Sequence, residues 1–189
     1  MILGRRSMDG KRREIVRLGH PVLRQRAEEI PRERFGTRFV RDLERDLLRT
    51  MFEDAGVGLA APQIAAPVRA FAYYVPGEDD RDEVAPRVVF NPVLTFAGEP
   101  TEMGWEGCLS VPGLRGKVPR YPRVRVAGCD ADGQPVEIDA EGFHARVIQH
   151  EYDHLDGIVF LDRMTDMASL SFEEEWDRYG EEKHLPVEV

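Results

Sequence analysis

The 189-residue chain is poor in cysteine and tryptophan, with two of each, and it contains no long apolar run. Two cysteines cannot build the disulfide framework that stabilises small secreted domains, so we expect thiols in a reducing compartment, the cytoplasm. The most apolar window, residues 56–75, includes Gln63, Pro67 and Arg69, which argues against a membrane span. The basic amino terminus is not followed by an apolar segment, so a signal peptide is not expected either.

Acidic residues outnumber basic ones. Lys and Arg number 26 against 35 Asp and Glu, and the net charge is −9, whereas a nucleic-acid binder needs clustered cations to neutralise phosphates. We therefore expect no DNA partner. The one basic cluster lies at the start, and residues 1–13 are predicted to be a disordered basic tail. Residues 14–168 are predicted to form a single domain, and residues 169–189 an acidic carboxy-terminal helix or tail.

The order of predicted elements indicates an α+β fold. Thr37 is the expected cap of a first helix, whose apolar residues follow the helical period up to Phe52 and which Gly56 closes. The stretches rich in β-branched and aromatic residues predict strands at 69–75, 87–96 and 124–127. Residues 77–83 are predicted to be a solvated loop, and Asp132-Gly133 a hairpin turn. A helix, then strands, then a helix is not the alternating order of a parallel α/β sheet.

The most informative segment is Gln-His-Glu-Tyr-Asp-His at 149–154. In a helix, His150 and His154 project from one face, and Glu151 lies beside whatever they bind, which is how a protein holds a divalent metal next to a general base. The alternative is an exposed amphipathic helix with two solvated histidines. Apolar residues at helical spacing around the motif favour a packed helix, which Asp156-Gly157 ends.

A catalytic metal site usually has three protein ligands and one open position. The candidates for the third ligand are nearby carboxylates and the two thiols: Asp153, Asp156, Asp162, Cys108 and Cys129. Cys108 has the better setting, because Gly107 permits an unusual backbone beside it, whereas Cys129 is typical of a small half-buried residue. A closed structural site of both cysteines and both histidines is the alternative, and it leaves Glu151 without a role.

The segment Gly-Val-Gly-Leu-Ala-Ala-Pro-Gln at 56–63 completes the set of candidate motifs. It does not fit a phosphate loop, because no Lys-Ser/Thr follows it. Its small side chains would let a ligand approach the backbone, and Gln63 offers an NH₂ donor suited to a developing oxyanion. Taken alone, the segment is more typical of a helix-to-strand turn with a surface glutamine.

Together with Glu-Gly-Cys-Leu-Ser at 106–110, these two segments resemble the three signature motifs of the peptide deformylase family, in the family's order. Gly19–Arg24 and Val118–Arg120 also resemble family elements, so the similarity extends from about residue 14 to about residue 165. The resemblance implies an α+β fold with antiparallel sheets packed around a central metal-binding helix and an amino-terminal helix. It implies hydrolysis of the N-formyl group of N-formylmethionyl nascent peptides, with release of formate.

The resemblance also implies a role for each matching residue. The metal ligands would be Cys108, His150 and His154. The acid/base would be Glu151, and the oxyanion would be bound by Gln63 and the backbone N–H of Leu109. Substrate backbone would pair with Val57 and Gly58, and the pocket for the first side chain would be lined by Phe143 and Val147.

The implied cofactor is one divalent ion per chain, natively Fe²⁺, with Zn²⁺ or Ni²⁺ as replacements. The enzyme alternative is a metallopeptidase, which shares His-Glu-x-x-His, and the non-enzyme alternative is a structural metal module. Some family members dock on the ribosome through a basic carboxy-terminal helix. Here residues 173–189 carry seven acidic residues against Arg178 and Lys183, which weakens that expectation to a transient contact. Arg146 lies among pocket-lining positions, and we expect its side chain to extend outward.

Overall fold

The structure is a computed structural model that describes residues 9–77 and 83–180. The helices are α1 (Arg38–Glu53), α2 (Gly142–Leu155), α3 (Phe160–Arg163) and α4 (Glu173–Tyr179). The strands are β1 (Gly58–Ala60), β2 (Ala70–Val75), β3 (Val84–Phe96), β4 (Glu102–Glu106), β5 (Leu114–Arg120), β6 (Arg123–Cys129), β7 (Pro135–Glu141) and β8 (Ser171–Phe172). The predicted loop at 77–83 falls largely on residues 78–82, which lie outside the described residues.

The strands form two antiparallel sheets. One has the order β1-β2-β3-β6-β7, and the other has the order β4-β5-β8. Strand β2 shows how the first sheet is covered on both faces, since successive side chains point to opposite sides. Phe71 and Tyr73 pack in the cluster that contains α2 residues, whereas Ala70 and Ala72 pack in the cluster that contains α1 residues. The predicted α+β fold, with sheets around the motif helix, is confirmed.

Helix α1 begins where the sequence predicted, but its cap differs. Thr37 has the extended backbone of a cap residue, yet its hydroxyl donates to the carbonyl oxygen of Arg34 at 2.6 Å and caps no helical N–H. At the other end Ala55 takes a left-handed conformation, with φ of 57°, just before Gly56. The predicted hairpin at Asp132-Gly133 joins β6 to β7, and φ of 79° at Gly133 explains the glycine.

Contrary to the expected disorder of the whole tail, residues 9–13 lie along α1. The backbone N–H of Lys11 donates to Asp46 at 2.8 Å, and that of Arg13 donates to the Thr50 hydroxyl at 2.9 Å. The Arg13 side chain also reaches Asp46, at 2.7 Å. Asp46 is buried, so its charge needs these donors, and the basic segment supplies them.

A packing contact between α2 and β2 makes stability depend on pH. His144 stacks on Tyr73 with ring centroids 5.2 Å apart, and its Nε2 has no hydrogen-bond partner within the described part of the chain. Burial and the charge of Arg87 lower the pKa of His144 to about 4, from an ordinary value of 6.5. Below pH 6.5 the unfolded chain therefore binds a proton that the folded chain does not. The stability that the neutral His144 contributes is fully present above pH 6.5 and is lost as the pH falls toward 4.

We expect His144→Gln to remove part of this loss. Between pH 7 and pH 5 the free energy of unfolding should fall by roughly 1 kcal/mol more in the wild type than in the variant, after discounting for the partial exposure of His144. Urea titrations at the two pH values measure the difference, and acid release of metal from both proteins cancels in it. Equal losses in the two proteins would show that His144 does not carry this dependence.

Candidate metal centre and active site

Helix α2 carries the motif into the core. Ten of its residues are buried, which excludes the exposed amphipathic helix that the sequence left open. The rings of His150 and His154 lie on one face with centroids 5.0 Å apart, as their four-residue spacing predicts. The helix ends at Leu155, and Gly157 then turns with φ of 74°. A side chain there would meet the backbone of Arg24 at 2.8 Å, so the predicted stop requires glycine for two reasons.

Cys108 lies beside the two histidines. It comes two residues after β4 ends at Glu106, and it is fully buried. One ligand atom from each of Cys108, His150 and His154 lies within 4.8 Å of the others, and the Cys108 Sγ is 3.4 Å from Nε2 of His154. Cys129 is not part of this group. It lies at the end of β6, opposite Pro135, so the closed site of four ligands is not formed.

The donor set fits a single divalent ion. Bonds of about 2.0–2.3 Å to a common ion place ligand atoms roughly 3–4.5 Å apart, which the observed group allows. Nε2 of His150 is buried without a hydrogen-bond partner among the described residues, as are both carboxylate oxygens of Glu151. Buried polar atoms are normally hydrogen-bonded. That these three atoms beside a thiol lack such partners indicates that the site binds a metal and its solvent.

Glu106 holds His150 in place. Its Oε2 is 2.9 Å from Nδ1 of His150, so a proton on Nδ1 leaves the lone pair of Nε2 to face the metal site. Arg120 donates to both oxygens of Glu106, at 2.8 and 2.9 Å. Burial opposes the charge of Glu106, but Arg120 and the His150 hydrogen bond outweigh it and lower the pKa of this carboxyl far below its ordinary value.

A further arginine completes this buried network. Arg146 donates to Oε1 of Glu106 at 2.9 Å, and Arg120 also donates to Asp153 at 2.6 Å. The expectation that Arg146 extends outward is therefore wrong, since only 3% of the residue is exposed. Its charge is buried because a carboxylate and several carbonyl oxygens accept from it. No local pattern reveals this role, since the acceptors lie 28 to 44 positions away in the chain.

Glu151 lies in a space that a glycine leaves open. It is fully buried, and a Cβ at Gly58 would lie 2.7 Å from its Cδ. Burial and the charge of Glu106 raise the pKa of the Glu151 carboxyl well above its ordinary value, although Arg120 opposes this. A carboxyl that is desolvated and close to a metal site has the properties of a proton acceptor and donor.

Gln63 faces the same site. The turn Ala61–Ile64 follows β1 directly, and Oε1 of Gln63 accepts the backbone N–H of Ala60 at 2.7 Å. This fixes the amide orientation, so Nε2 points toward Cys108 Sγ at 3.6 Å and the Ser110 hydroxyl at 3.3 Å. Gln63 is buried, so the alternative of a surface turn is excluded.

The amino-terminal segment joins the two loops that border the thiol. Val16 N–H donates to the carbonyl oxygen of Gln63 and Leu18 N–H to that of Ser110, both at 2.8 Å. These bonds hold Leu109, the residue between Cys108 and Ser110, at a fixed separation from Gln63. The sequence pattern of Gly19–Arg24 indicated this region as part of the fold, but not this cross-linking.

The predicted substrate residues lie at the start of β1 and in the first half of α2. Strand β1 pairs with β2 on one side and with no other strand of the described chain, so Gly58 lies on a sheet edge. Val57 and Val147 are fully buried in one apolar cluster, and Phe143 packs against it partly exposed. Gly58 thus lies against Glu151 and Gln63 against Cys108, whereas Val147 and Phe143 precede His150 by about one and two turns of α2.

Comparison with known proteins agrees with this geometry. The family model of polypeptide deformylase matches residues 12–169. Peptide deformylase 1 of Prochlorococcus marinus is 45% identical over 172 residues, which cover 89% of this chain and 88% of that protein. The Met-Ala-Ser-bound peptide deformylase of Acinetobacter baumannii has a TM-score of 0.75 at 34% identity, and that of Thermotoga maritima a TM-score of 0.73 at 34% identity. Each alignment covers 82% of this chain and 99% of the other.

A buried thiol and two helix-borne histidines beside a glutamate define the site of a metal-dependent hydrolase. The chain belongs to the peptide deformylase family, whose members remove the N-formyl group from the formylmethionyl end of nascent peptides. The predicted family and activity are thereby confirmed over the metallopeptidase and the structural metal module. No helix in residues 9–77 and 83–180 is long and apolar enough to cross a membrane.

Proposed function

We propose that Cys108, His150 and His154 hold one divalent ion and that Glu151 is the acid/base of deformylation. The support is that both Glu151 oxygens and Nε2 of His150 are buried beside the thiol without a hydrogen-bond partner in the part of the chain that the structure describes. When bound, a divalent ion supplies a Lewis acid that lowers the pKa of water and polarises an amide oxygen. We infer that the native ion is Fe²⁺, with Zn²⁺ or Ni²⁺ as replacements, since thiolate and imidazole suit all three.

Glu151 moves one proton in each direction. Its carboxylate accepts a proton from water as the water oxygen forms a bond to the formyl carbon. The same oxygen of Glu151 then gives the proton to the amide nitrogen as the carbon–nitrogen bond breaks. Formate and a free amino terminus result. The raised pKa of the buried Glu151 carboxyl supports this double role, because a raised pKa makes the carboxylate a better proton acceptor.

Gln63 and the backbone N–H of Leu109 stabilise the negative oxygen of the tetrahedral intermediate. The amide of Gln63 is held by the Ala60 N–H, so its NH₂ donor needs little reorganisation during the reaction. The backbone bonds from Val16 and Leu18 hold the segments of Gln63 and Leu109 together. Losing one such donor typically costs about 100-fold to 1,000-fold in rate.

The substrate lies along the open edge of β1. Its backbone pairs with Val57 and Gly58 as an added strand, a mode in which main-chain hydrogen bonds supply affinity for any sequence. The first side chain enters the apolar region of Phe143 and Val147, which suits an unbranched methionine. The peptide Met-Ala-Ser, bound to the Acinetobacter baumannii relative, is the product that such a mode would leave.

Cytoplasmic action on nascent chains is part of this proposal, with a transient ribosome contact that does not use α4. That helix contains Glu173, Glu174, Glu175 and Asp177 against Arg178, so it would repel ribosomal RNA. It is also held against β5, where Arg115 donates to Glu173 at 2.7 Å and lies over the Trp176 ring.

The assay that tests this function uses matched peptides and metal analysis. Protein purified without oxygen should contain about one iron per chain and release formate from formyl-Met-Ala-Ser. It should leave the internal peptide bonds of formylated and unformylated Met-Ala-Ser intact. Exposure to air should lower activity, and Ni²⁺ or Zn²⁺ should restore some of it. Cleavage of internal bonds without formate would contradict the proposal, and full activity of metal-free protein would contradict the ligand assignment.

A further inference from the structure

We propose that Arg146 is a positioning residue that sets the separation between the strand leading to Cys108 and the helix carrying the two histidines. The inference rests on the proposed metal ligands, Cys108, His150 and His154. Arg146 lies one helical turn before His150 on the same face of α2. It is 3% exposed, so its guanidinium acts inside the protein and not in solvent.

The guanidinium of Arg146 bridges α2 to both strands of the second sheet. Toward β4, it donates to the carbonyl oxygen of Glu102 at 2.6 Å and more weakly to that of Gly104 at 3.4 Å. Toward β5, it donates to the carbonyl oxygen of Val118 at 2.9 Å. A planar guanidinium can satisfy several acceptors in fixed directions, which an ammonium group cannot do.

Gly104 is the counterpart of this side chain. A Cβ at Gly104 would lie 2.7 Å from Cζ of Arg146 and 2.9 Å from its Nε. The space that a side chain on β4 would fill is therefore occupied by the guanidinium. Glycine at 104 and arginine at 146 form a complementary pair, and either one without the other leaves a clash or a void.

Glu106 connects Arg146 to the ligands. This carboxylate lies two residues before Cys108 and accepts from Arg146 on Oε1 and from His150 Nδ1 on Oε2, both at 2.9 Å. Arg120 also pairs with both oxygens of Glu106, so the buried charge stays compensated without Arg146. The bridge from α2 to the carbonyls of β4 and β5, in contrast, depends on Arg146. Its loss should therefore loosen the ligand geometry more than the fold.

The test measures metal affinity. We expect Arg146→Met to weaken metal binding about 10-fold to 100-fold, as loss of a residue that orients metal ligands commonly does. Competition with a chromophoric chelator and Zn²⁺ gives the dissociation constant, and circular dichroism shows whether the variant folds. At saturating metal the turnover number should return to within about fivefold of the wild type, because Arg146 touches no reacting atom. Arg146→Lys should recover only part of the affinity.

Arg69, a buried arginine just before β2 that contacts the carboxy-terminal end of α2, provides the matched control. Arg69 donates to the carbonyl oxygen of Leu155 at 3.1 Å and to Asp156 at 2.7 Å, so Arg69→Met also removes a buried guanidinium that binds this helix. It should lower the melting temperature while changing metal affinity less than about threefold. Equal losses of affinity in the two variants, or none in Arg146→Met, would overturn the inference.

Three further variants keep the proposal testable. If Arg146→Met fails to fold, Gly104→Ala takes its place, and it should weaken metal binding by displacing the guanidinium. In the Arg146→Met background, the added methyl group at Gly104 should cost less than it does alone, and additive losses would count against the pairing. Cys108→Ser distinguishes a failure of the proposed ligand set from a failure of the role of Arg146. If Cys108→Ser binds zinc as tightly as the wild type does, the proposed ligand set is wrong. If Cys108→Ser loses zinc affinity and Arg146→Met does not, the ligand set stands and the role of Arg146 is rejected.

Discussion

Replacing Glu151 by glutamine should lower the turnover number at least about 1,000-fold while the metal stays bound. Glutamine has the shape of glutamate, so it fits the space beside Gly58. It cannot accept a proton from water or return one to the departing nitrogen. General acid–base catalysis contributes about 100-fold to 10,000-fold in enzymes, and here one residue serves both steps. Formate release under single-turnover conditions, with metal analysis of the same sample, measures the effect.

The thermal stability of Glu151→Gln should be equal to or higher than that of the wild type. Burial raises the pKa of the Glu151 carboxyl, which means that its ionised form costs free energy in the folded protein. Glu151→Gln removes that cost and should melt at or above the temperature of the wild type. Glu141→Gln makes the same chemical change at an exposed position just before α2, and it should leave activity and melting unchanged. Turnover above about a tenth of the wild type in Glu151→Gln, with metal retained, would contradict the assigned role.

The sequence predicts those site residues that lie close together along the chain, but not those that lie far apart. His150, Glu151 and His154 are fixed by helical spacing alone, and the apolar residues around them predict that the helix is packed. Cys108 lies 42 positions before His150, and spacing could not choose it among the candidate ligands. The resemblance to a known family made that choice, and the 4.8 Å grouping agrees with it.

The burial of charged side chains is the part of the structure that the sequence did not predict. Arg146 and Glu106 are polar residues that by composition belong on the surface, yet they are 3% and 1% exposed. Their burial depends on one another and on carbonyl oxygens of distant strands, and no local pattern encodes such a pairing. Buried charge also explains why β5 was not predicted. This strand contains two buried arginines, a glycine and a proline, and such a composition is not typical of a strand.

The predicted tail shows the same limit. Basic residues at a chain end are typical of a disordered segment, and this led to the expectation for residues 1–13. The buried Asp46 on α1 reverses it for residues 9–13, because a carboxylate inside the protein needs donors and the nearest basic segment provides them. A buried acidic residue in an otherwise apolar helix face is thus the signal that could have predicted a docked segment.

Gly58→Ala should have the second largest effect, a loss of turnover of at least about 100-fold. A methyl group at Gly58 would lie 2.7 Å from Cδ of Glu151 and 2.8 Å from its Cγ, so the carboxylate must move. A displacement of about 1 Å at a reacting group can cost about 100-fold in rate. The same methyl group would stand beside the edge on which the substrate pairs. We therefore expect a lower kcat and also a higher KM, measured by formate release over a range of peptide concentrations.

The control is a crowded glycine of the same sheet far from the metal centre. A Cβ at Gly128, on β6, would meet Cγ1 of Val89 at 2.6 Å and the carbonyl oxygen of Phe90 at 2.9 Å. Gly128→Ala should therefore lower the melting temperature without changing the activity of the molecules that remain folded. In Gly58→Ala, metal content should stay at one ion per chain, because the three atoms nearest the new methyl group all belong to Glu151, which is not a proposed ligand. If the two variants lose activity only in proportion to unfolding, the close contact between Gly58 and Glu151 has no catalytic consequence.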